Sequence, residues 1–447
     1  MSIGDDQKKI IKICNHLFNK SSQNIKGLSP LTYFGLWGKT LGFERIKLKI
    51  YGLGYLPTYF LEIFKDILSI SKLSSFKILK KNKLDNINYR NLVVSNAGYS
   101  DFATNGTYTD RYFKINSKTS QKNIFFLIYL DKLLPKKIDK NVVLLINNQT
   151  KFKYNIFFLI KYILCKLIKS KLSLRYFFNI TSTYNRLAEI SVNCLKKEIN
   201  LEKIKKIIIP YEGQVFQNKI LREAKKINKN ILTIGYEHSA PHSVPVHLIH
   251  SSSSPDMLFI NGESQLNHFS KFLNWPKKKL VVVPSARYPK NLDLEFENKV
   301  FLPYEIFDKQ IIIDEFKNLI INSPIHTFNF FKIKNHPMAF NSKKHNLIKL
   351  ELEKIQNKYK NRFNKKKKKN SAIFIGPTTG VIVALEKKIK VIHICFNSSF
   401  DSYTNSLWPN LKAIPLSKNT FIYRLKKIGT FVKFSKYKNC YSKYYDI

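Results

Sequence analysis

Two carboxylates and a histidine stand at the ends of two predicted strands that follow each other closely. Lys205–Pro241 reads KKIIIPYEGQVFQNKILREAKKINKNILTIGYEHSAP. The unbroken Ile207-Ile208-Ile209 run suits a strand buried on both faces, and Pro210 ends it. Glu212 then stands at the strand end, flanked by Tyr211 and Gly213 and followed by a helix with Phe216, Ile220, Ala224 and Ile227 at helical spacing. A second strand, Ile231–Tyr236, runs into Glu237 and His238. A carboxylate placed there can take a proton from a hydroxyl, and a neighbouring histidine can orient it or contact a ligand. Further on, Pro337 forces His336 into an extended conformation at a strand end, where it can donate to a phosphate oxygen or protonate a leaving group. Finally, Gly376-Pro377-Thr378-Thr379-Gly380 joins a buried strand to a helix. Two hydroxyls and the free amides of a helix end can hold a phosphate. The Gly-Lys-Ser/Thr ending of a P-loop is absent.

These groups need a scaffold that brings strand ends together. In the first half, Leu92–Ser95, Val142–Asn147 and the two strands above alternate with predicted helices, among them Lys8–Phe18, Tyr59–Ile70, Asn155–Lys171 and Leu187–Glu198. The long loop after Leu92–Ser95 carries Asp101, Asp110 and Arg111, residue types that suit sugar hydroxyls. Pro241–Pro255, with its serine run, reads as the connection between domains. The second half repeats the alternation. Met257–Ile260, Leu280–Val283, Gln310–Asp314, Phe328–Lys334, Ala372–Ile375 and Val391–Cys395 are predicted strands, and Ser264–Leu273, His345–Tyr359 and Val381–Lys388 predicted helices. Asn419–Lys433 reads as a closing helix. The expected fold class is α/β with two Rossmann-like domains facing a cleft. Residues 1–245 form the acceptor side with the Glu-Gly pair, 255–420 the nucleotide-sugar side, and 421–447 a closing helix and tail.

Composition narrows the partners. The 447 residues carry a net charge of +47, from 77 basic and 30 acidic residues. An excess that large points to an anionic partner: a membrane leaflet, a nucleotide donor or nucleic acid. Five cysteines lie far apart, without metal-ligand or redox spacing, as in a reduced cytoplasmic chain. No HExxH and no loop Asp-x-Asp occurs, so neither a metal ion nor another cofactor is expected. The start of the chain lacks a signal-peptide core. The most apolar window, Asn155–Ile168, is too short to span a bilayer and contains Lys161 and Lys166, so it reads as a buried or interfacial helix. The lysine run Lys365–Lys369 reads as a solvated loop.

The order Glu-Gly, His-Pro, hydroxyl pair resembles bacterial sialyltransferases, polysialyltransferases and Kdo transferases of GT-B fold. The block YEGQ…GYEHS…NGE…P resembles surface-carbohydrate biosynthesis proteins. In those enzymes the acidic residue before glycine is the general base, and the His-Pro histidine and hydroxyl pair hold the phosphate of a CMP-sugar. The resemblance therefore implies Glu212 as base and His336, with Thr378 and Thr379, at the leaving phosphate. Pro337, Gly376 and Gly380 shape the donor site, and Tyr211, Gly213, Glu237, His238, Asp101, Asp110 and Arg111 are candidates for acceptor or nucleotide contacts. Here the family's acidic pair is Tyr211-Glu212, and its hydroxyl pair is two threonines. The implied reaction is metal-independent, inverting transfer of a sialic acid-like sugar or Kdo from a CMP-sugar to a glycan or glycolipid. The implied setting is cytoplasmic, at an anionic inner membrane. The alternatives are CDP-glycerol or CDP-alcohol transfer in teichoic-type polymer synthesis, and non-enzymatic nucleic-acid binding. The second lacks any recognised nucleic-acid motif.

Overall fold

A computed structural model describes residues 2–24, 76–80, 89–120, 122–147, 183–290, 295–322, 330–339, 341–363 and 371–435, with a few helical positions between 160 and 168. The predicted helix Tyr59–Ile70 and the lysine run Lys365–Lys369 lie outside these residues.

Among the described residues, eight strands form the first sheet: β1 (Phe76–Lys80), β2 (Asn91–Ala97), β3 (Asn123–Tyr129), β4 (Val142–Asn147), β5 (Lys206–Pro210), β6 (Leu232–Tyr236), β7 (Met257–Ile260) and β8 (Leu280–Val282). Their order is β1-β4-β3-β2-β5-β6-β7-β8, parallel except for the β1–β4 pair. The order reverses between β2 and β5, as in a doubly wound dinucleotide-binding sheet. β5 shows why its sequence becomes a central strand. Ile207 and Ile209 enter one core cluster and Ile208 the opposite one, all fully buried. β3 (NIFFLIY), buried at every position, carries the same two-sided signature.

The second sheet holds β10 (Lys299–Phe301), β11 (Lys332–Lys334), β12 (Ser371–Ile375), β13 (Lys390–Ile394), β14 (Leu411–Pro415) and β15 (Thr420–Leu425), in the order β11-β10-β12-β13-β15-β14. The first four are parallel, and the order again reverses, between β10 and β12. A short pair, β9 (Ser285–Pro289) with β16 (Phe434–Ser435), stands apart. The helices are α1 (Ile3–Asn24), α2 (Thr183–Glu198), α3 (Val215–Ile227), α4 (Glu263–Phe272), α5 (Lys309–Asn322), α6 (Lys343–Lys358), α7 (Gly380–Glu386) and α8 (Ser398–Asp401). Two Rossmann-like α/β units thus face each other in a GT-B-like arrangement.

Three expectations are corrected. Gln310–Asp314 lies within helix α5: Ile312, Phe316, Leu319 and Ile320 are buried at helical spacing. Asp308 caps its start by accepting from the Gln310 and Ile311 amides (2.8 and 3.1 Å), which outweighs the β-branched run. Asn419–Lys433 is not a helix. Thr420–Leu425 is β15, antiparallel to both β13 and β14, and the chain then returns to the first unit to place β16 beside β9. The domain boundary also moves. β7 and β8 belong to the first sheet, so Pro241–Pro255 lies inside that unit, and the changeover falls between β8 and β10.

The two units share one core cluster, which joins Ile207, Ile209 and Leu258 to Phe374, Val391 and Trp408. Buried hydrogen bonds reinforce the join. Tyr403 donates to the Pro241 carbonyl (2.8 Å), Trp408 Nε1 to the Ser243 carbonyl (2.8 Å), and Ser243 to the Phe400 carbonyl (2.6 Å). His268 stacks flat on Trp408 at 4.0 Å. The returning segment is tied down by Glu386, whose carboxylate accepts from the amides of Gly429, Phe431 and Val432. Among the described residues, no helix is long and apolar enough to cross a membrane. Of the window Asn155–Ile168, Ile160, Lys161, Leu164, Cys165 and Ile168 are described, and all five are exposed.

Candidate active site

A cleft of about 580 Å³ opens between the units at the carboxyl ends of both sheets. The first unit contributes Glu212, His238 and Arg287, and the second His336, Thr378 and Thr379. Both topological reversals border it: the β5 loop on one side, the β10 and β12 loops on the other. That is where open α/β sheets bind ligands.

Glu212 is held from several sides. Gln217, buried in the first turn of α3, accepts from the amides of Glu212 and Gln214 (3.0 Å each) through Oε1 and donates to the Pro210 carbonyl through Nε2. Gln214 donates to Glu212 Oε2 at 2.6 Å. Gly213 has φ +66°, and a Cβ there would sit 2.0 Å from the His247 carbonyl oxygen, so only glycine fits after the glutamate. The other carboxylate oxygen of Glu212 lies 3.4 Å from His238 Nε2, and the side chain keeps 21% of its surface open. Burial raises the Glu212 pKa, while the Gln214 bond and the Arg287 charge oppose the rise. Burial, with Arg287 and His242 nearby, pushes His238 down to about 3. His238 is therefore neutral at pH 7 and can hydrogen-bond to Glu212 without forming an ion pair. The edge of Tyr112 packs on its ring at 4.4 Å.

Glu237 lies behind this wall, outside the cleft lining. It is 2% exposed and accepts from the Ser239 hydroxyl at 2.6 Å. Burial, aided by the Glu212 charge, pushes it up to about 8. It thus keeps its proton at neutral pH, which relieves repulsion on Glu212.

On the opposite wall, His336 follows β11 with Tyr304 against its ring (5.4 Å). Burial, His345 and Arg287 lower its pKa, so it meets an anion at pH 7 mainly as a neutral donor. Pro337 and Gly380 line the cleft beside it. Thr378 Oγ1 accepts from the Gly380 amide (3.2 Å). Gly376 lies just behind the lining and turns the chain out of β12, its carbonyl taking a hydrogen bond from His393 Nε2 (2.7 Å).

Other predicted contacts are occupied elsewhere. Tyr211 is fully buried and donates to Asn218 (2.8 Å). Asp110 is also fully buried: it accepts from Tyr108 (2.8 Å) and from the Tyr112 and Phe113 amides (2.8 and 2.7 Å). Asp101 pairs with Arg111 and also accepts from the Gly98 amide. These bonds fold the 98–113 loop, and none of the three loop residues lines the cleft. No group of three or more His, Cys, Asp or Glu side chains that could hold a metal ion occurs among the described residues.

Arg287 is the site residue that sequence reasoning missed. It sits on β9, is exposed to the cleft, and its charge bears on Glu212, Glu237, His238 and His336. In sequence it is one of 77 basic residues in a short segment without periodicity. The strand exists because β16 returns to pair with it. The Ser285 amide donates to the Lys433 carbonyl (2.7 Å) and the Lys290 amide to the Ser435 carbonyl (2.8 Å). The remaining signal is chemical: an arginine where most basic residues are lysine suits a fork-shaped contact to phosphate.

No family model and no curated protein matches the chain. Six chains of solved structures do. One is the alpha,alpha-trehalose 6-phosphate synthase from Burkholderia multivorans, 10% identical, with a TM-score of 0.33 over 62% of this chain and 70% of that one.

Proposed function

We propose that this protein is an inverting glycosyltransferase that moves a sialic acid-like sugar or Kdo from a CMP-sugar onto a glycan or glycolipid. The observation that carries the reading is the meeting of three groups, far apart in sequence, on one cleft. A partly exposed carboxylate lies on one wall, a histidine and two hydroxyls on the other, and Arg287 between them in charge. In this reading Glu212 accepts the proton of the acceptor hydroxyl as that oxygen attacks the anomeric carbon. The sugar–phosphate bond breaks on the opposite face, and CMP leaves with the electron pair. Arg287 takes the developing negative charge, while His336, Thr378 and Thr379 donate to the phosphate oxygens. No metal ion is needed, because the arginine supplies the positive charge. General-base help is worth about 10²–10⁴-fold, and preorganised donors at the leaving group a comparable share. The test is CMP release from CMP-sialic acid and CMP-Kdo in EDTA. Release from at least one donor is expected. No release from either, with acceptor glycans supplied, contradicts the reading.

A further inference from the structure

The loop after β3, residues 130–137 (LDKLLPKK), turns its apolar side chains outward. Leu130 is 65% exposed, Leu133 68% and Leu134 47%, and Tyr99 beside them 45%. The loop is built to do this. Tyr129 donates its hydroxyl to the Leu133 carbonyl, and the Leu130 amide donates to the Ala97 carbonyl (3.0 Å). Pro135 is buried and Ile138 enters the core, so the neighbours that could cover the leucines are already placed inside. Lys132, Lys136, Lys137 and Lys140 are exposed around the leucines. The acidic residue of the loop and the one just after it are engaged: Asp131 accepts from the Tyr99 amide (2.6 Å) and Asp139 from the Ser117 hydroxyl (2.5 Å). Later in the chain, after β4, Ile160, Leu164 and Ile168 are also exposed, at four-residue spacing.

We propose that the 130–137 loop, with Tyr99, is the surface on which the protein sits on an anionic lipid bilayer. Protruding leucines within a ring of lysines match an interface whose apolar layer lies just below a negative one. Tyr99 supplies a ring suited to the headgroup level. A nucleic acid would use the lysines but leave the leucines in water. The loop leaves the sheet at the same edge as Glu212, two strands away, about 10 Å at the usual strand spacing. The bilayer contact itself stands independently of the proposed reaction. If that reading also holds, a lipid-linked acceptor would reach the carboxylate wall from the bilayer.

The test is flotation of the full chain with phosphatidylcholine vesicles, with and without phosphatidylglycerol. Binding is expected only where phosphatidylglycerol is present, and it should weaken as salt rises. Leu133→Asp with Leu134→Asp is expected to weaken it at least ~10-fold, since two apolar contacts are lost and two negative charges added. Lys132→Glu, Lys136→Glu and Lys137→Glu together are expected to weaken it at least ~100-fold, at roughly fivefold per lysine. Leu133→Ala with Leu134→Ala keeps the charge and should show an intermediate loss. Circular dichroism and CMP release from soluble donor are expected to stay at wild-type values, because none of these residues lines the cleft. Two results overturn the proposal: no binding of the wild type to phosphatidylglycerol vesicles, or unchanged binding of the folded leucine variants. Capture of single-stranded RNA that needs the lysines, with vesicles left unbound, also overturns it.

Discussion

Replacing Gly213 by alanine tests whether the turn after Glu212 is as fixed as the geometry makes it. Two costs follow. At φ +66° an alanine sits in the left-handed region, at about 1–2 kcal/mol. Its Cβ would also lie 2.0 Å from the His247 carbonyl oxygen, against a normal C···O contact of about 3.3 Å. Either the Glu212 turn or the buried 246–248 turn must therefore move by about 1 Å, for a further ~1–3 kcal/mol by analogy with overpacked cores. Gly429 separates the two costs. Its φ is +78°, and a Cβ there meets nothing within 4 Å, so Gly429→Ala carries the strain alone. By chemical denaturation, Gly213→Ala is expected to lose about 2–5 kcal/mol and Gly429→Ala about 1–2. CMP release should fall about 100-fold in Gly213→Ala, the usual effect of a ~1 Å misplacement of a reacting group, and stay unchanged in Gly429→Ala. A Gly213→Ala protein as stable as Gly429→Ala and as active as wild type would refute this account of the turn.

Arg287→Ala is expected to cut kcat by about 10²–10³-fold, the usual loss for a donor at a developing negative charge. Because the Arg287 charge lowers the Glu212 pKa, its removal should also move the acid limb of the pH–rate profile to higher pH. A profile that keeps its position would take Arg287 out of contact with the base. Glu237→Gln should flatten the dependence of Tm on pH. In the wild type the folded-state pKa of about 8 lies above the unfolded value of 4.5. The stability that this carboxyl contributes is therefore fully present below about pH 4.5 and is lost as pH rises to about 8. Parallel Tm curves for wild type and variant between pH 5 and 9 would show that Glu237 ionises freely in the fold.

Most of what was legible in the sequence came from buried parallel strands and the loops that follow them. Ile207–Ile209 and Met257–Ile260 announce themselves because both faces are apolar. Glu212, His336 and Thr378 stand out because a glycine, a proline or a glycine-rich turn fixes the backbone beside each. What was hidden depends on partners distant in the chain. Arg287 is placed by a strand that pairs with residues nearly 150 positions later. Ile311–Ile313 looks like a strand until the Asp308 cap and the helical spacing of Phe316 and Ile320 are weighed. Asp110 has the chemistry of a sugar contact, but Tyr108 and the Tyr112 and Phe113 amides of its own loop, with Ser95 of β2, already enclose it. A pattern of residue types shows what a side chain can bind, not whether its own backbone already occupies it.

The central claim is that Glu212 acts as base on a donor held by the other wall. The most direct measurement compares CMP affinity with CMP release, in EDTA, for wild type, Glu212→Ala and His336→Ala. The account predicts that Glu212→Ala binds CMP as wild type does but releases it from the CMP-sugar at least ~100-fold more slowly, whereas His336→Ala loses CMP affinity as well. Undiminished release by Glu212→Ala would contradict it.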